Sequence, residues 1–222
     1  MTELGWTWLG RRPYREVWRR QEELREAVLA GGQERVLFVE HEPVATLGRH
    51  ANPRHVLAPA LDRVETNRGG DVTVHGPGQL VIYPVVRLTR GVLAHVEAVG
   101  GAIVAEAASH GVACELRRDP VGVWAGEAKL AACGLHVKRR VAIHGFALNV
   151  TNEALPLFGG IVPCGLVGSR VTSLEREGAR VGSLRALAAS IAERIAVAMG
   201  RVAREENDVD VSITTCSSSP SR

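Results

Sequence analysis

The residue best suited to nucleophilic chemistry is Cys164, held between Pro163 and Gly165. Proline stiffens the chain before the thiol, and glycine leaves room for a substrate to approach. Backbone N–H groups near such a turn can also hold a developing oxyanion. A structural or loop thiol fits the same context, so the local sequence leaves both readings open. Cys114 lies in an apolar stretch, Cys133 reads as a small core residue, and Cys216 falls in a Ser- and Thr-rich tail.

Lys129 stands in GVWAGEAKLAACG (122–134), between small apolar residues. Burial there would favour the neutral amine, which base catalysis or activation of a neighbour requires. The alternative is a lysine that snorkels to solvent from a strand edge. A third segment, RGGDVTVHGPGQ (68–79), pairs glycines with β-branched residues. It is neither a phosphate loop nor a dinucleotide fingerprint. Its glycines would let backbone lie against a ligand, and its β-branched residues would line an apolar slot. A sharp turn between strands needs the same glycines. His75 is either a functional polar group or a locally hydrogen-bonded one. In 141–150, His144 precedes Gly145 and can face a cleft, whereas Phe146 and Leu148 pack in a core strand.

The elements that must position these residues follow from periodicity. Tyr14, Val17, Trp18, Gln21, Leu24 and Val28 recur at helical spacing across 13–30. Residues 36–40, 44–47, 64–66, 71–75 and 79–86 read as strands, with a tight Gly76-Pro77-Gly78 connection before the last. A second helix is marked by Val92, Val96, Val99, Ile103 and Ala107. Strands follow at 121–124, 129–135 and 141–150, a Gly- and Pro-rich loop at 156–168, and a third helix at 184–199 with Ser183 as its N-cap. Groups of strands separated by helices predict an α/β (α+β) protein with a mixed sheet. A doubly wound dinucleotide-binding sheet needs strict strand–helix alternation and is unlike this order.

Length and composition set the outer bounds. At 222 residues with 45% apolar content, one domain over 1–213 and a frayed tail over 214–222 are expected. A formal charge of +3 gives no case for nucleic acid. Between 117 and 140, Arg117, Arg118, Lys129, Lys138, Arg139 and Arg140 oppose only Asp119 and Glu127, a patch able to steer an acidic protein partner. The start, MTELGWTWLGRR, is unlike a secretory leader, and no segment approaches the roughly 20 apolar residues of a membrane span. A cytoplasmic protein with no membrane association is the expectation. The cysteines lack metal-type spacing.

Taken together, RGGDVTVHGPGQLVIYP (68–84), GVWAGEAKLAACG (122–134), HGFALNV (144–150) and IVPCGL (161–166) with TSL (172–174) resemble the lipoyl(octanoyl) transferase family. The resemblance covers residues 36–174. It implies transfer of an octanoyl or lipoyl group from an acyl carrier protein thioester to a lysine on lipoyl domains. Those acceptors are the lipoyl domains of 2-oxoacid dehydrogenases and the glycine cleavage H protein. Cys164 would be the nucleophile and Lys129 its activator and proton relay. The acyl-binding positions would be Arg68, Gly69, Gly70, Asp71, Val72, Thr73, Val74 and His75, then Ala132, Cys133 and Gly134, then Gly145, Phe146 and Ala147. The implied fold is that of biotin protein ligase and lipoate ligase catalytic domains, and no cofactor or metal is implied. Cys133 replaces a usual aliphatic residue, and Val141-Ala142 lacks the usual aromatic and hydroxyl residues. Two competing readings are an ATP-dependent lipoate or biotin ligase and a non-enzymatic module that binds carrier protein.

Overall fold

The computed structural model describes residues 2–162 and 170–208. Cys164, Cys216 and the expected tail over 214–222 lie outside the described residues.

Among the described residues, twelve strands and three α-helices follow one another in the order β1 (Glu3–Arg12), α1 (Tyr14–Leu29), β2 (Arg35–His41), β3 (Val44–Leu47), β4 (Asp62–Glu65), β5 (Val72–His75) and β6 (Gln79–Arg87). Then come α2 (Gly91–Ser109), β7 (Glu115–Arg118), β8 (Val121–Ala125), β9 (Ala128–Lys138), β10 (Val141–Asn149), β11 (Arg170–Val171), α3 (Leu184–Ala198) and β12 (Val202–Glu205). The large mixed sheet runs β12-β1-β2-β6-β10-β9-β8-β7, with β11 added beside β9, and a small sheet runs β4-β3-β5.

Period-two alternation along β6 explains the layering. Leu80, Ile82 and Val86 face α2 and α3, where Ile103, Leu187, Ile191 and Ile195 complete one core. Val81, Tyr83 and Val85 face α1, where Val17, Leu24 and Val28 complete another. Each such side chain, fully buried, contributes about 1.5–3 kcal/mol. The Ser183 hydroxyl accepts from the Ala186 N–H at 3.1 Å and starts α3.

Residues 71–75 and 79–86 are both strands around the expected tight connection. β5 joins β3 in the small sheet and β6 joins β2 and β10 in the large one, so Gly76-Pro77-Gly78 carries the chain between sheets. One expectation needs correction, that no segment approaches a membrane span: α2 is long and apolar enough to cross a membrane by length and composition. Its inner face packs on the sheet, and its buried Glu106 accepts from Ser190 and, at 2.7 Å, from Arg194 of α3. That is the packing of a core helix.

Candidate active site

A cavity of about 360 Å3 opens where the small sheet meets β9 and β10, within the usual size of a small-molecule site. Its wall is built by cross-strand register. Gly134 lies opposite Gly145, Cys133 opposite Phe146, and Ala132 opposite Ala147. Close backbone approach dictates glycine at Gly145 and favours it at Gly134. A Cβ at Gly145 would lie 2.1 Å from the Ile82 carbonyl oxygen, and one at Gly134 would lie 3.0 Å from that of Gly69.

Arg68, Gly70, Asp71, Val72, Thr73 and His75 form the opposing wall, and Lys129 lines the same space. Two expected residues stand outside it. Val74 is fully buried in a cluster with Ala45, Val56, Val72 and Ile161. Gly69 instead ties the walls together, its N–H donating to the Leu135 carbonyl at 2.8 Å. Asp71, in that wall, has partners within the protein. It accepts from the Asn52 N–H at 3.1 Å and from His55 Nδ1 at 2.7 Å.

The floor is a buried polar network whose proton directions follow from its ends. Arg68 can only donate, and it gives Thr46 Oγ1 hydrogen bonds of 3.2 and 3.0 Å. The Thr46 hydroxyl is then the donor to His75 Nε2 at 3.4 Å, and His75 Nδ1–H donates to Gln79 Oε1 at 3.1 Å. The Gln79 amide donates to Asn149 Oδ1 at 2.9 Å, and Asn149 Nδ2 donates to the Thr172 carbonyl at 2.9 Å. Thr172 N–H finally donates to the Lys129 carbonyl at 3.0 Å. One chain of bonds thus links the Arg68 wall to the strand that carries Lys129.

A branch runs beneath it. His41 Nδ1–H donates to the Arg12 carbonyl at 2.9 Å, so Nε2 accepts from the Tyr83 hydroxyl at 2.9 Å. The Tyr83 hydroxyl also shares a hydrogen bond with that of Tyr14. Tyr14 stacks on His75 at 5.6 Å between ring centroids. Burial pushes the Tyr14 hydroxyl up to about 12 and His41 down to about 4. His75 falls well below its ordinary value, first through burial and then through His41 and the Arg68 charge. The imidazoles are neutral at pH 7 and serve as hydrogen-bonding groups.

His144 does face the cleft, and it does so at a backbone φ of 60°, a region costly for a residue other than glycine. Its freed N–H donates to Gln21 Oε1 at 2.7 Å and its ring bonds Asn67 Oδ1 at 2.7 Å. Burial, then the Arg68 charge, lowers it to about 3.

Lys129 is half-buried, with Nζ 4.8 Å from the Trp124 ring centroid. Cys133, four residues along β9, is a thiol and not a thiolate. Burial raises it to about 12, with Lys129 partly opposing. The expected basic patch divides between the two ends of β9. Arg117 pairs with Glu115 at 2.7 Å and Glu127 at 3.3 Å, and Arg118 pairs with Glu97 at the cavity end. Lys138, Arg139 and Arg140 lie at the far end of β9, roughly 20 Å along the strand from Ala132, the register level of Arg117, where Arg140 donates to the Leu88 carbonyl at 3.0 Å.

Tyr14, Val81, Tyr83 and Val121 also line the cavity and were absent from the sequence reading of the site. The available signal was the alternation of Val81 and Tyr83 along β6.

Residues 13–196 match the lipoyl protein ligase A/B catalytic domain. An octanoyltransferase of Geobacter sp. (strain M21) is 45% identical over 167 residues, covering 74% of this chain and 81% of the relative. A lipoate protein ligase described as bi-partite, from Thermoplasma acidophilum, superposes with a TM-score of 0.72 at 14% identity, covering 95% of this chain and 89% of that one. Biotin protein ligase from Aquifex aeolicus gives a TM-score of 0.52 at 13% identity over 90% and 69%. These likenesses to solved structures bear out the expected ligase-type fold. With the family match and the identity to curated relatives, the chain belongs to the octanoyltransferases of the lipoyl protein ligase A/B catalytic-domain family.

Proposed function

We propose that this protein transfers an octanoyl or lipoyl group from an acyl carrier protein thioester to a lysine of lipoyl domains, those of 2-oxoacid dehydrogenases and the glycine cleavage H protein. Cys164 is the acyl-carrying nucleophile and Lys129 its proton relay. The observation that carries the reading is the cavity between the Arg68–His75 segment and β9–β10, with Lys129 in its lining. Chain on both sides of residues 163–169 is tied to this cavity. The Val162 N–H donates to the carbonyl of His55, the partner of Asp71, and Val171 pairs with Lys129.

In this reading the Cys164 thiolate attacks the thioester carbonyl carbon, and the bond to the carrier sulfur breaks. The departing thiolate takes a proton from Lys129. The neutral amine of the acceptor lysine then attacks the Cys164 thioester and gives a proton back to Lys129 as the Cys164 thiolate leaves. Thiolate serves both as nucleophile and as leaving group, and a cation beside it favours that form. A thioester donor is already activated, so neither step calls for a nucleotide. A cytoplasmic setting, where Cys114 and Cys133 stay free thiols, belongs to the same reading.

The test compares donors on an apo lipoyl domain. Octanoyl carrier protein should support transfer, whereas free octanoate with ATP and magnesium should not. Equal rates from the two would refute the transferase reading in favour of a ligase.

A further inference from the structure

Trp124 is 5% exposed, yet among the described residues it joins none of the three apolar clusters. A buried indole needs a partner for its N–H, and Trp124 Nε1 donates to the Pro120 carbonyl at 3.2 Å. Pro120 lines the acyl cavity, so this bond seats the ring at the cavity wall.

Two cations meet the ring. Lys129 Nζ lies 4.8 Å from the ring centroid and Arg117 Cζ 5.2 Å, both within reach of a cation–π attraction. Strand register brings the three together. Trp124 on β8 lies opposite Lys129 on β9 and opposite Glu115 on β7, and directly opposed residues share a sheet face. Arg117, two residues on from Glu115, returns to that face. Arg117 is held from outside by Glu115, Glu127 and, at 2.9 Å, the Gly126 carbonyl. Lys129 lines the cavity. Gly122 leaves room for its stem. A Cβ there would lie 3.4 Å from Lys129 Cε and 3.5 Å from Trp124 Nε1, so lysine stem and indole edge meet over this glycine.

We propose that Trp124 is a positioning residue for Lys129, its π face holding the ammonium where it exchanges protons during acyl transfer. The proposal rests on the proton-relay reading of Lys129. A lysine amine ends a flexible four-carbon stem and spreads over many rotamers unless something holds it. A carboxylate would hold it by accepting the same protons that must be exchanged. The ring attracts the cation and takes none of its N–H donors in a conventional hydrogen bond. The attraction lapses when Lys129 gives its proton to the departing thiolate. It returns when the acceptor amine restores that proton.

The test begins with NMR of the full chain. Its two lysines are Lys129 and Lys138, so labelling lysine at Cε gives two signals, with exposed Lys138 as the reference. The ring current of Trp124 should move the Lys129 Hε protons upfield of those of Lys138. That shift should vanish in Trp124→Leu and persist in part in Trp124→Phe, whose ring attracts a cation less strongly. In octanoyl transfer, Trp124→Leu should lower kcat between about ten- and a hundredfold, the scale of a misplaced catalytic group, with KM for the carrier thioester unchanged. Trp124→Phe should recover part of the loss, and Trp124→Leu should cost nothing further in a Lys129→Ala background. A tryptophan needed only for packing would exact its cost in both backgrounds. Lys129 signals at the ordinary position in the parent protein would overturn the proposal, and that measurement stands even if Trp124→Leu fails to fold. Unchanged kcat in Trp124→Leu, with Lys129→Ala impaired, would overturn it and leave the relay reading intact. Normal turnover in folded Lys129→Ala would bring down the relay reading and this proposal together.

Discussion

Lys129 holds its amine beside Trp124 and its backbone against Thr172, so its side chain and its strand are fixed by different partners. Removing the side chain therefore tests chemistry and leaves the strand pairing in place. Lys129→Ala should stay folded and lose about 10²–10⁴ in kcat, the usual share of a proton-transfer group. Alkylation of Cys164 should shift to higher pH in the same variant. Lys129→Arg should not restore turnover, since a guanidinium holds a thiolate but does not relay protons near neutrality. Near-normal turnover in folded Lys129→Ala would remove the lysine from the mechanism. Asn149 makes a second test at this scale. Aspartate keeps the acceptor for Gln79 but offers nothing to the Thr172 carbonyl. Asn149→Asp should cost about 1–3 kcal/mol or more in urea denaturation, from the unmet carbonyl and the buried charge. An unchanged midpoint would show that the bond chain is not structural.

At the scale of elements, the three helices and the central strands were legible because their burial is periodic. Tyr14, Val17, Gln21, Leu24 and Val28 are buried in α1 as the spacing required. β1 escaped the sequence reading for a physical reason. It lies between β12 and β2 and buries Leu4, Gly5, Trp6 and Thr7 in succession, so it has no alternation to read. β7 and β12 are four-residue edge strands with exposed charges. The site itself was legible as four motifs, yet Thr46, Gln79 and Tyr83 became site residues only once two sheets met. The glycine pair on β9 and β10 gives the test at this scale. Gly145→Ala should destabilise by about 1–3 kcal/mol through overpacking, because its methyl would enter the Ile82 carbonyl. Thermal denaturation checks this, and a stable variant with a normal cavity would show that the strands can part.

The whole molecule carries several buried neutral imidazoles, and that sets its response to acid. Burial lowers His41 and His95 to about 4 and His144 to about 3. An unfolded chain titrates these rings near 6.5, so below that pH it takes up protons the native state refuses. Their contribution is complete above about pH 6.5 and is lost as pH falls toward 4, and for His144 toward 3. At about pH 5 the loss is up to ~2 kcal/mol per ring. Urea midpoints at about pH 7.5 and about pH 5 should differ accordingly, and His95→Phe should flatten its share. Equal midpoints would contradict the burial of neutral rings. Surface charge gives a second molecular test. Arg118 lines the acyl cavity, whereas Arg139 and Arg140 lie at the far end of β9. Arg118→Glu should slow reaction with the acidic carrier substrate, and reversal of Arg139 and Arg140 should not. The opposite pattern, in second-order rate constants, would move the docking surface.

The central claim is that acyl transfer passes through a thioester on Cys164. Intact mass of the protein after mixing with octanoyl carrier protein, in the absence of acceptor, reads it directly. The account expects a gain of one octanoyl group, abolished in Cys164→Ala and discharged when an apo lipoyl domain is added. An adduct that persists in Cys164→Ala, or transfer that proceeds in that variant, would contradict it.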